Sequence, residues 1–112
     1  MEPRIASSVL VSALLRRAEG EGGFGTVLAK GDATAGAVAV ILIERGANPR
    51  LFERALQADG CYAWRESALA GESPQDLAAL LDRRRRFDPD LWIIELDIAS
   101  SERFAAEMNS FG

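Results

Sequence analysis

The spacing of apolar and polar residues predicts a helix at the start of the chain. Between residues 9 and 18, apolar side chains recur at steps of three and four, which is the spacing of an amphipathic helix packed on a core. Ser7 or Ser8 is expected to cap this helix, which should extend to about Glu19. The glycine-rich residues 20–23 then end it, because glycine adopts the left-handed conformation of a helix C-terminus at little cost.

Four short strands are predicted to follow, over residues 24–29, 36–44, 51–56 and 61–67. The second of them is apolar on both of its alternating faces, which is typical of a central strand covered on both sides. Turn-forming residues separate the strands at positions 30–32, 46–49 and 58–60. Cys61 is interpreted as a small, half-buried residue of the fourth strand.

A second helix and a fifth strand come next. Ser73 is a suitable N-cap and Pro74 a suitable first residue for the helix, whose last turn holds the four arginines of residues 83–86. Pro89 prevents the helix from continuing. From residue 91 the period changes to two, so one face of the strand should carry Trp92, Ile94, Leu96 and Ile98 and the other Leu91, Ile93, Glu95 and Asp97.

Ser100 or Ser101 should cap a third helix, which runs to about Asn109 with Phe104 and Met108 on one face. The predicted order is therefore α-β-β-β-β-α-β-α. Short strands joined by tight turns favour antiparallel pairing, and only the connection through the second helix is long enough for a crossover. The fold class is α+β: a single domain over residues 1–112, with a mainly antiparallel sheet of about five strands and two to three helices.

Composition excludes several classes of function. The 112 residues include 13 basic and 17 acidic side chains, and the net charge of −4 opposes a general affinity for nucleic acid. Histidine is absent, which excludes Ser-His and Cys-His nucleophile systems and histidine-ligated metals. One cysteine allows no internal disulfide, and neither a signal layout nor a long apolar run is present. We therefore expect a cytoplasmic protein that does not enter a membrane.

Residues 20–25 match the pattern G-x-G-x-x-G of dinucleotide-binding loops. In those loops the glycines leave a strand and open a helix, whose N-terminal amides bind the pyrophosphate. Here the predicted order is reversed, with the glycines between a helix and a strand. We interpret them as a helix end and a turn, and we expect no bound cofactor.

Charged residues around the fifth strand suggest two further kinds of site. The arginines of residues 83–86 span a full helical turn, so they cannot all face one ligand, and a solvated helix end is the simpler interpretation. Asp88, Asp90, Glu95 and Asp97 offer oxygen ligands, but their spacing matches no calcium or magnesium loop. No metal site is predicted.

Five side chains are candidates for binding an anionic small molecule. Four are cationic anchors, and the fifth is the one carboxylate well placed in a loop to act as an acid or base; they are Arg16, Arg17, Lys30, Arg84 and Asp32. No residue is assigned a catalytic role.

Two aromatic residues are candidates for a contact surface. Tyr62 and Trp64 share one face of the fourth strand, whose alternating positions also carry charged side chains, so we expect them to be half exposed. Trp92, in contrast, alternates with apolar residues and is assigned to the core.

Three segments together resemble a known family. They are residues 11–17 with the glycines that follow, residues 30–36 (KGDATAG) and residues 86–95 (RFDPDLWIIE). In this order and spacing they resemble the short proteins grouped as domain of unknown function 1491, found mainly in alphaproteobacteria. The resemblance spans about residues 8–97 and leaves the C-terminal residues 100–112 outside. It implies a stand-alone bacterial cytoplasmic domain without an established activity, cofactor or catalytic residue, so no functional residue is carried over.

The leading hypothesis is a small non-catalytic module that works by protein contact, as a homodimer or bound to another protein. The central strand must be covered on both faces, and self-association would supply part of that cover. The alternative is a protein that binds a small anionic metabolite, or an atypical enzyme, using the arginine anchors. Nucleic-acid binding through the arginine run is the weakest of the three hypotheses.

Overall fold

Five strands form one sheet, and three helices pack on its two faces. The structure, a computed structural model, describes residues 5–67 and 74–111. The elements lie in the predicted α+β order: α1 (Ser7–Gly20), β1 (Phe24–Ala29), β2 (Val38–Glu44), β3 (Ala47–Leu56), β4 (Tyr62–Ser67), α2 (Pro74–Phe87), β5 (Trp92–Asp97) and α3 (Ser101–Phe111). Within the described ranges, no helix is both long and apolar enough to span a membrane.

The strand order across the sheet is β1-β5-β2-β3-β4. β2, β3 and β4 form an antiparallel meander, as their short connections predict. β5 then inserts between β1 and β2, antiparallel to β1 and parallel to β2. The parallel pair requires a crossover, and α2 lies in that connection, as predicted. The insertion of β5 leaves β1 and β4 as the two edges of the sheet.

The alternation along β5 and β2 is confirmed on both faces of the sheet. One face packs against α1 and α3 through Trp92, Ile94 and Leu96 of β5 and the even-numbered residues of β2. The opposite face packs against leucines of α2 through Leu91 and Ile93 and the odd-numbered residues of β2. β2 is thus a central strand covered on both sides.

The prediction that Ser7 or Ser8 caps α1 is wrong. The N-cap is Ala6, and no side chain accepts a capping hydrogen bond there. The N–H groups of Ser7 and Ser8 instead donate to the carbonyl oxygens of Thr34 and Ala33, at 3.2 and 2.9 Å. A distant loop thereby satisfies donors that a side-chain cap would otherwise satisfy. Ser7 is buried, and its hydroxyl donates to the Gly36 carbonyl at 2.5 Å.

The other helix ends follow the sequence more closely. Ser100 caps α3, since its hydroxyl accepts the N–H of Arg103 at 3.2 Å. α1 ends in the predicted glycine-rich segment, where Gly22 has a φ of 88°. α2 ends at Phe87, directly after the arginines. Ser73, the predicted cap of α2, lies outside the described residues.

Two expectations about the hairpins are corrected. β3 begins at Ala47, earlier than predicted, because Arg45 and Gly46 alone form the turn after β2, with φ of 52° and 77°. The register between β2 and β3 then shifts between Leu42 and Glu44. Cys61 is exposed and precedes β4, so it is not a half-buried strand residue.

Candidate interaction surface

The outer edge of β4 is covered by a side chain of α3. The Trp64 N–H donates to Oδ1 of Asn109 at 2.8 Å, and the Asn109 amide lies 3.5 Å from the Trp64 carbonyl oxygen. Asn109 therefore occupies the Trp64 N–H, one of the backbone groups with which a further strand would pair. Arg65 and Glu66 add exposed charges to β4, and charges on an edge strand oppose the addition of another strand.

The outer edge of β1 has neither kind of protection. Within residues 5–67 and 74–111, β1 pairs with β5 alone. The strand has no charged residue, and its large apolar side chains are exposed: 66% for Phe24, 41% for Val27 and 49% for Leu28. Its one irregularity is a bulge between Val27 and Ala29 in the pairing with β5. An apolar, unpaired edge of this kind is a template for strand addition.

The glycines before and within β1 fix the strand against its neighbours. A Cβ at Gly23 would collide with the backbone carbonyl oxygen of Asp97, and one at Gly25 would collide with the side chain of Leu15 and lie 2.8 Å from Leu96. Of the three glycines in the pattern G-x-G-x-x-G, only Gly25 therefore serves close packing between α1, β1 and β5, because a Cβ at Gly20 or Gly22 would meet nothing within 4 Å. The interpretation of these glycines as a helix end and a turn is confirmed by their position between α1 and β1.

α3, which carries Asn109, is anchored to the sheet through charged groups. Arg50 of β3 donates to both carboxylate oxygens of Glu66, at 2.8 and 2.7 Å, and to the Ser101 hydroxyl at 3.0 Å. The Glu44 carboxylate accepts the Ser101 N–H at 2.7 Å. These contacts hold the first turn of α3 over β2 and β3, which positions its last turn beside β4.

The same contacts shift three ionisation equilibria. Hydrogen bonding to Glu66 raises the pKa of Arg50, and hydrogen bonding to Arg50 lowers the pKa of Glu66. The backbone N–H of Ser101 lowers the pKa of Glu44, because it stabilises the carboxylate form. All three shifts favour the charged forms that hold α3 in place.

The predicted anionic-ligand anchors do not all come together. Arg17 donates to Glu107 of α3 at 2.7 Å, on the face of the sheet that carries α1 and α3. Arg84 pairs with Glu53 of β3 on the opposite face, which α2 covers. Arg16 is exposed on α1. Two of the arginines are thus engaged in ion pairs on opposite sides of the molecule.

Lys30 and Asp32 belong to a tightly built corner between β1 and β2. The Asp32 carboxylate accepts the N–H groups of Thr34 and Ala35 at 3.2 and 2.8 Å, and its carbonyl oxygen accepts the Trp92 indole N–H at 2.7 Å. The Lys30 carbonyl oxygen accepts a hydrogen bond from Arg85 at 2.9 Å. These bonds close a turn and tie it to β5.

Two of the segments that resemble the known family meet at this corner. Gly31 and Gly36 lie so close to the Asp90 carbonyl oxygen that a Cβ at either position would collide with it. Arg85 also donates to the Leu91 carbonyl oxygen at 3.2 Å, so α2 and the start of β5 are joined here as well. The geometry explains residues 30–36 and much of residues 86–95 as determinants of the fold.

The arginine run diverges, as its spacing predicts. Arg84 pairs with Glu53, Arg85 binds backbone carbonyls, and Arg86 lies 4.0 Å from Asp82. Among the described residues, no group of three or more histidine, cysteine or acidic side chains could hold a metal ion.

The predicted exposure of Trp64 is wrong. Its side chain is only 5% exposed and belongs to the core beneath α1 and α3, because α3 returns over the face of β4 on which this ring lies. Tyr62 is half buried, with the Arg54 guanidinium 5.1 Å from its ring centroid. Trp92 lies in the core, as assigned.

The fold and its two unlike edges define a small α+β domain without a visible catalytic constellation among the described residues. The chain belongs to the DUF1491 family of proteins of unknown function, whose family model matches residues 5–106. This confirms the resemblance and extends it into α3. A comparison with curated proteins gives no match.

Solved structures of family members are similar throughout the chain. The crystal structure of a DUF1491 family protein from Caulobacter crescentus CB15 is 38% identical, with a TM-score of 0.80, and the match covers 90% of this chain and 94% of that one. An NMR structure of a DUF1491 family protein from the same organism is 37% identical, with a TM-score of 0.78, and the match covers 93% of this chain and 94% of that one. The solution structure of a protein from A. tumefaciens is 33% identical, with a TM-score of 0.75, and the match covers 92% of this chain and 93% of that one.

Proposed function

We propose that this protein is a non-catalytic interaction module of the cytoplasm that works by accepting an extended strand on the open edge of β1. The contrast between the two edges carries the proposal. Asn109 and charged side chains protect β4, whereas β1 exposes Phe24, Val27 and Leu28 on a strand without charge. Recognition of this type uses backbone hydrogen bonds for affinity and neighbouring side chains for specificity.

The surroundings of β1 favour binding with little rearrangement. Gly23 and Gly25 pack the strand against β5 and α1, and the Lys30 carbonyl is tied to Arg85 at its far end. An edge held in this way is already in the extended conformation that a partner strand requires, so little ordering entropy opposes association.

The alternative, an anionic metabolite bound by the arginine anchors, is less favoured because Arg17 and Arg84 do not lie at a common site. Arg17 and Arg84 are paired with Glu107 and Glu53 on opposite faces of the sheet.

The exposed thiol of Cys61 is compatible with the reducing cytoplasm.

Site-specific photocrosslinking in cells that produce the protein naturally tests the proposed function. A photoreactive phenylalanine derivative in place of Leu28 should form an ultraviolet-dependent adduct with a protein, identified by mass spectrometry. The same residue in place of Arg65 on the β4 edge is the matched control and should form none. Adding Val27→Lys, which puts a charge on the open edge, should abolish the Leu28 adduct. No adduct from Leu28, or equal adducts from both edges, would refute the proposal.

A further inference from the structure

The open edge of β1 is complementary to itself when two copies run antiparallel. Glu21 precedes the strand and Lys30 follows it, while the strand between them is uncharged. Antiparallel pairing places the Glu21 end of each copy beside the Lys30 end of the other. The geometry points to a second copy of this chain as the strand that adds to β1, an inference that rests on the proposed function.

The side chains of β1 fit one register especially well. With a two-fold axis between the two copies of Thr26, Gly25 of each copy lies opposite Val27 of the other, and Phe24 lies beside Leu28, the residue within the bulge between Val27 and Ala29. Phe24 and Leu28 are exposed by 66% and 49%, so each copy contributes one aromatic and one aliphatic side chain to two equivalent contacts. Gly25 has no side chain, which leaves room beside Val27.

The charges favour the antiparallel arrangement over the parallel one. The contacts of Glu21 within its own chain are long, 4.0 Å to Arg17 and 3.8 Å to Arg103. Lys30 is exposed, and it is its backbone oxygen that binds Arg85. A parallel pair would place Glu21 beside Glu21, whereas the antiparallel pair forms two contacts of opposite sign.

The resulting dimer has a continuous sheet with twice the number of strands. Its two-fold axis is perpendicular to the sheet, so the same patch is used on both copies and the assembly closes as a dimer. The β4 edges remain at the two ends of this sheet, where Asn109 covers Trp64. Growth into a longer array is therefore blocked by the edge that the structure protects.

Exchange of charges tests the register. In the dimer, position 21 of each copy lies beside position 30 of the other. A homodimer of the Glu21→Lys variant therefore places two lysines at each of these contacts, and a homodimer of the Lys30→Glu variant places two glutamates there. Each variant alone should have a dissociation constant roughly ten-fold higher than the wild type, from two reversed exposed contacts. An equimolar mixture restores both contacts and should form heterodimers selectively. Sedimentation velocity measures the association, and native mass spectrometry with one variant isotopically labelled measures the composition.

A second pair of variants tests the apolar contact. Leu28→Lys should weaken the dimer at least about ten-fold, because it places a charge at both copies of the Phe24 contact. Leu56→Lys is the matched control: Leu56 is 63% exposed at the end of β3, away from this edge, and its substitution should leave association unchanged. Circular dichroism melting curves establish that each variant is folded, and the charge-exchange pair tests the inference if Leu28→Lys is not.

The outcomes separate this inference from the proposed function. A wild-type protein that stays monomeric at every soluble concentration, or a mixture with no preference for heterodimers, overturns self-pairing. An adduct that links Leu28 to another residue of the same chain also overturns self-pairing. An adduct that links Leu28 to a different protein overturns self-pairing as well, but the proposed function survives that outcome. The complete absence of an edge-specific adduct and of a dimer removes both.

Discussion

Removal of the Asn109 side chain should unprotect the β4 edge and show how the two edges differ. Asn109→Ala deletes the acceptor that the Trp64 N–H reaches at 2.8 Å. A partly buried hydrogen bond of this kind contributes about 1 kcal/mol to the free energy of unfolding, and the contact at 3.5 Å is too long to add to it. Alanine regains roughly 0.5 kcal/mol of helix propensity over asparagine. The net loss should therefore be about 0.5 kcal/mol.

Ser110→Ala provides the matched control for this change. It lies next along α3, is exposed, and its hydroxyl donates only within its own helix, to the Glu107 carbonyl at 2.8 Å. Its replacement should stabilise the protein by a few tenths of a kcal/mol through helix propensity alone. The two variants should thus differ by about 1 kcal/mol in urea unfolding, which isolates the contribution of the hydrogen bond.

Amide hydrogen exchange gives the sharper readout. In Asn109→Ala, the Trp64 amide should exchange about ten-fold faster or more, since its protecting acceptor is gone. The Arg65 amide should keep its protection, because successive amides of an antiparallel strand point to opposite sides and this one points toward β3. An unchanged Trp64 exchange rate, or similar urea midpoints for the Asn109 and Ser110 variants, would show that Asn109 does not protect this edge.

Three further predictions follow from the packing and charge of the fold. Gly36→Ala should unfold the protein or destabilise it by about 3 kcal/mol or more in urea, because a Cβ there would collide with the Asp90 carbonyl oxygen. Met108→Ala should lower the free energy of unfolding by about 2–4 kcal/mol, because the side chain is fully buried. The pKa of Glu66 in the folded state is lowered below 4.5, so its pairing with Arg50 stabilises the protein above pH about 4.5. This stabilisation is lost as the pH falls through the folded-state pKa. Arg50→Gln should remove this part of the pH dependence of the free energy of unfolding in urea.

Each of these predictions has an internal comparison. Gly20→Ala is the control for Gly36, because a Cβ at Gly20 meets nothing within 4 Å; equal effects of the two changes would contradict the packing argument. Val9→Ala, at a residue that is 52% exposed, is the control for Met108 and should change stability by less than about 1 kcal/mol. For the ion pair, Glu66→Gln should flatten the acid limb as Arg50→Gln does, and an unchanged limb in both variants would contradict the assignment.

Local sequence patterns were sufficient to predict most of the helices and strands. The period-two pattern after Pro89 correctly assigned the faces of β5, and the arginines and glycines correctly marked the ends of α2 and α1. These signals act over a few residues, within the range of backbone preferences and side-chain alternation. They failed at the start of α1, where the loop at Ala33 and Thr34 replaces the expected serine cap.

The candidate surface was mostly beyond the reach of the sequence. Tyr62 and Trp64 were expected to share a half-exposed face, but α3 covers Trp64, and this depends on where a distant helix returns. Asn109 has no local signal that would identify it as a cover for β4. The uncharged composition of β1 was visible, yet its importance depends on which strand lies at the edge.

The sequence by itself determined the order of the elements and the faces of the buried strands, because each of these depends on residue type or on neighbours within a few positions. Only the tertiary structure decided that β5 separates β1 from β2, that Asn109 protects β4, and that the outer edge of β1 pairs with no other strand of the described ranges. Strand order depends on contacts between residues far apart in the chain, because the arrangement with the lowest total free energy over many weak interactions is the one that forms. The surface proposed for function is exposed as a consequence of that strand order.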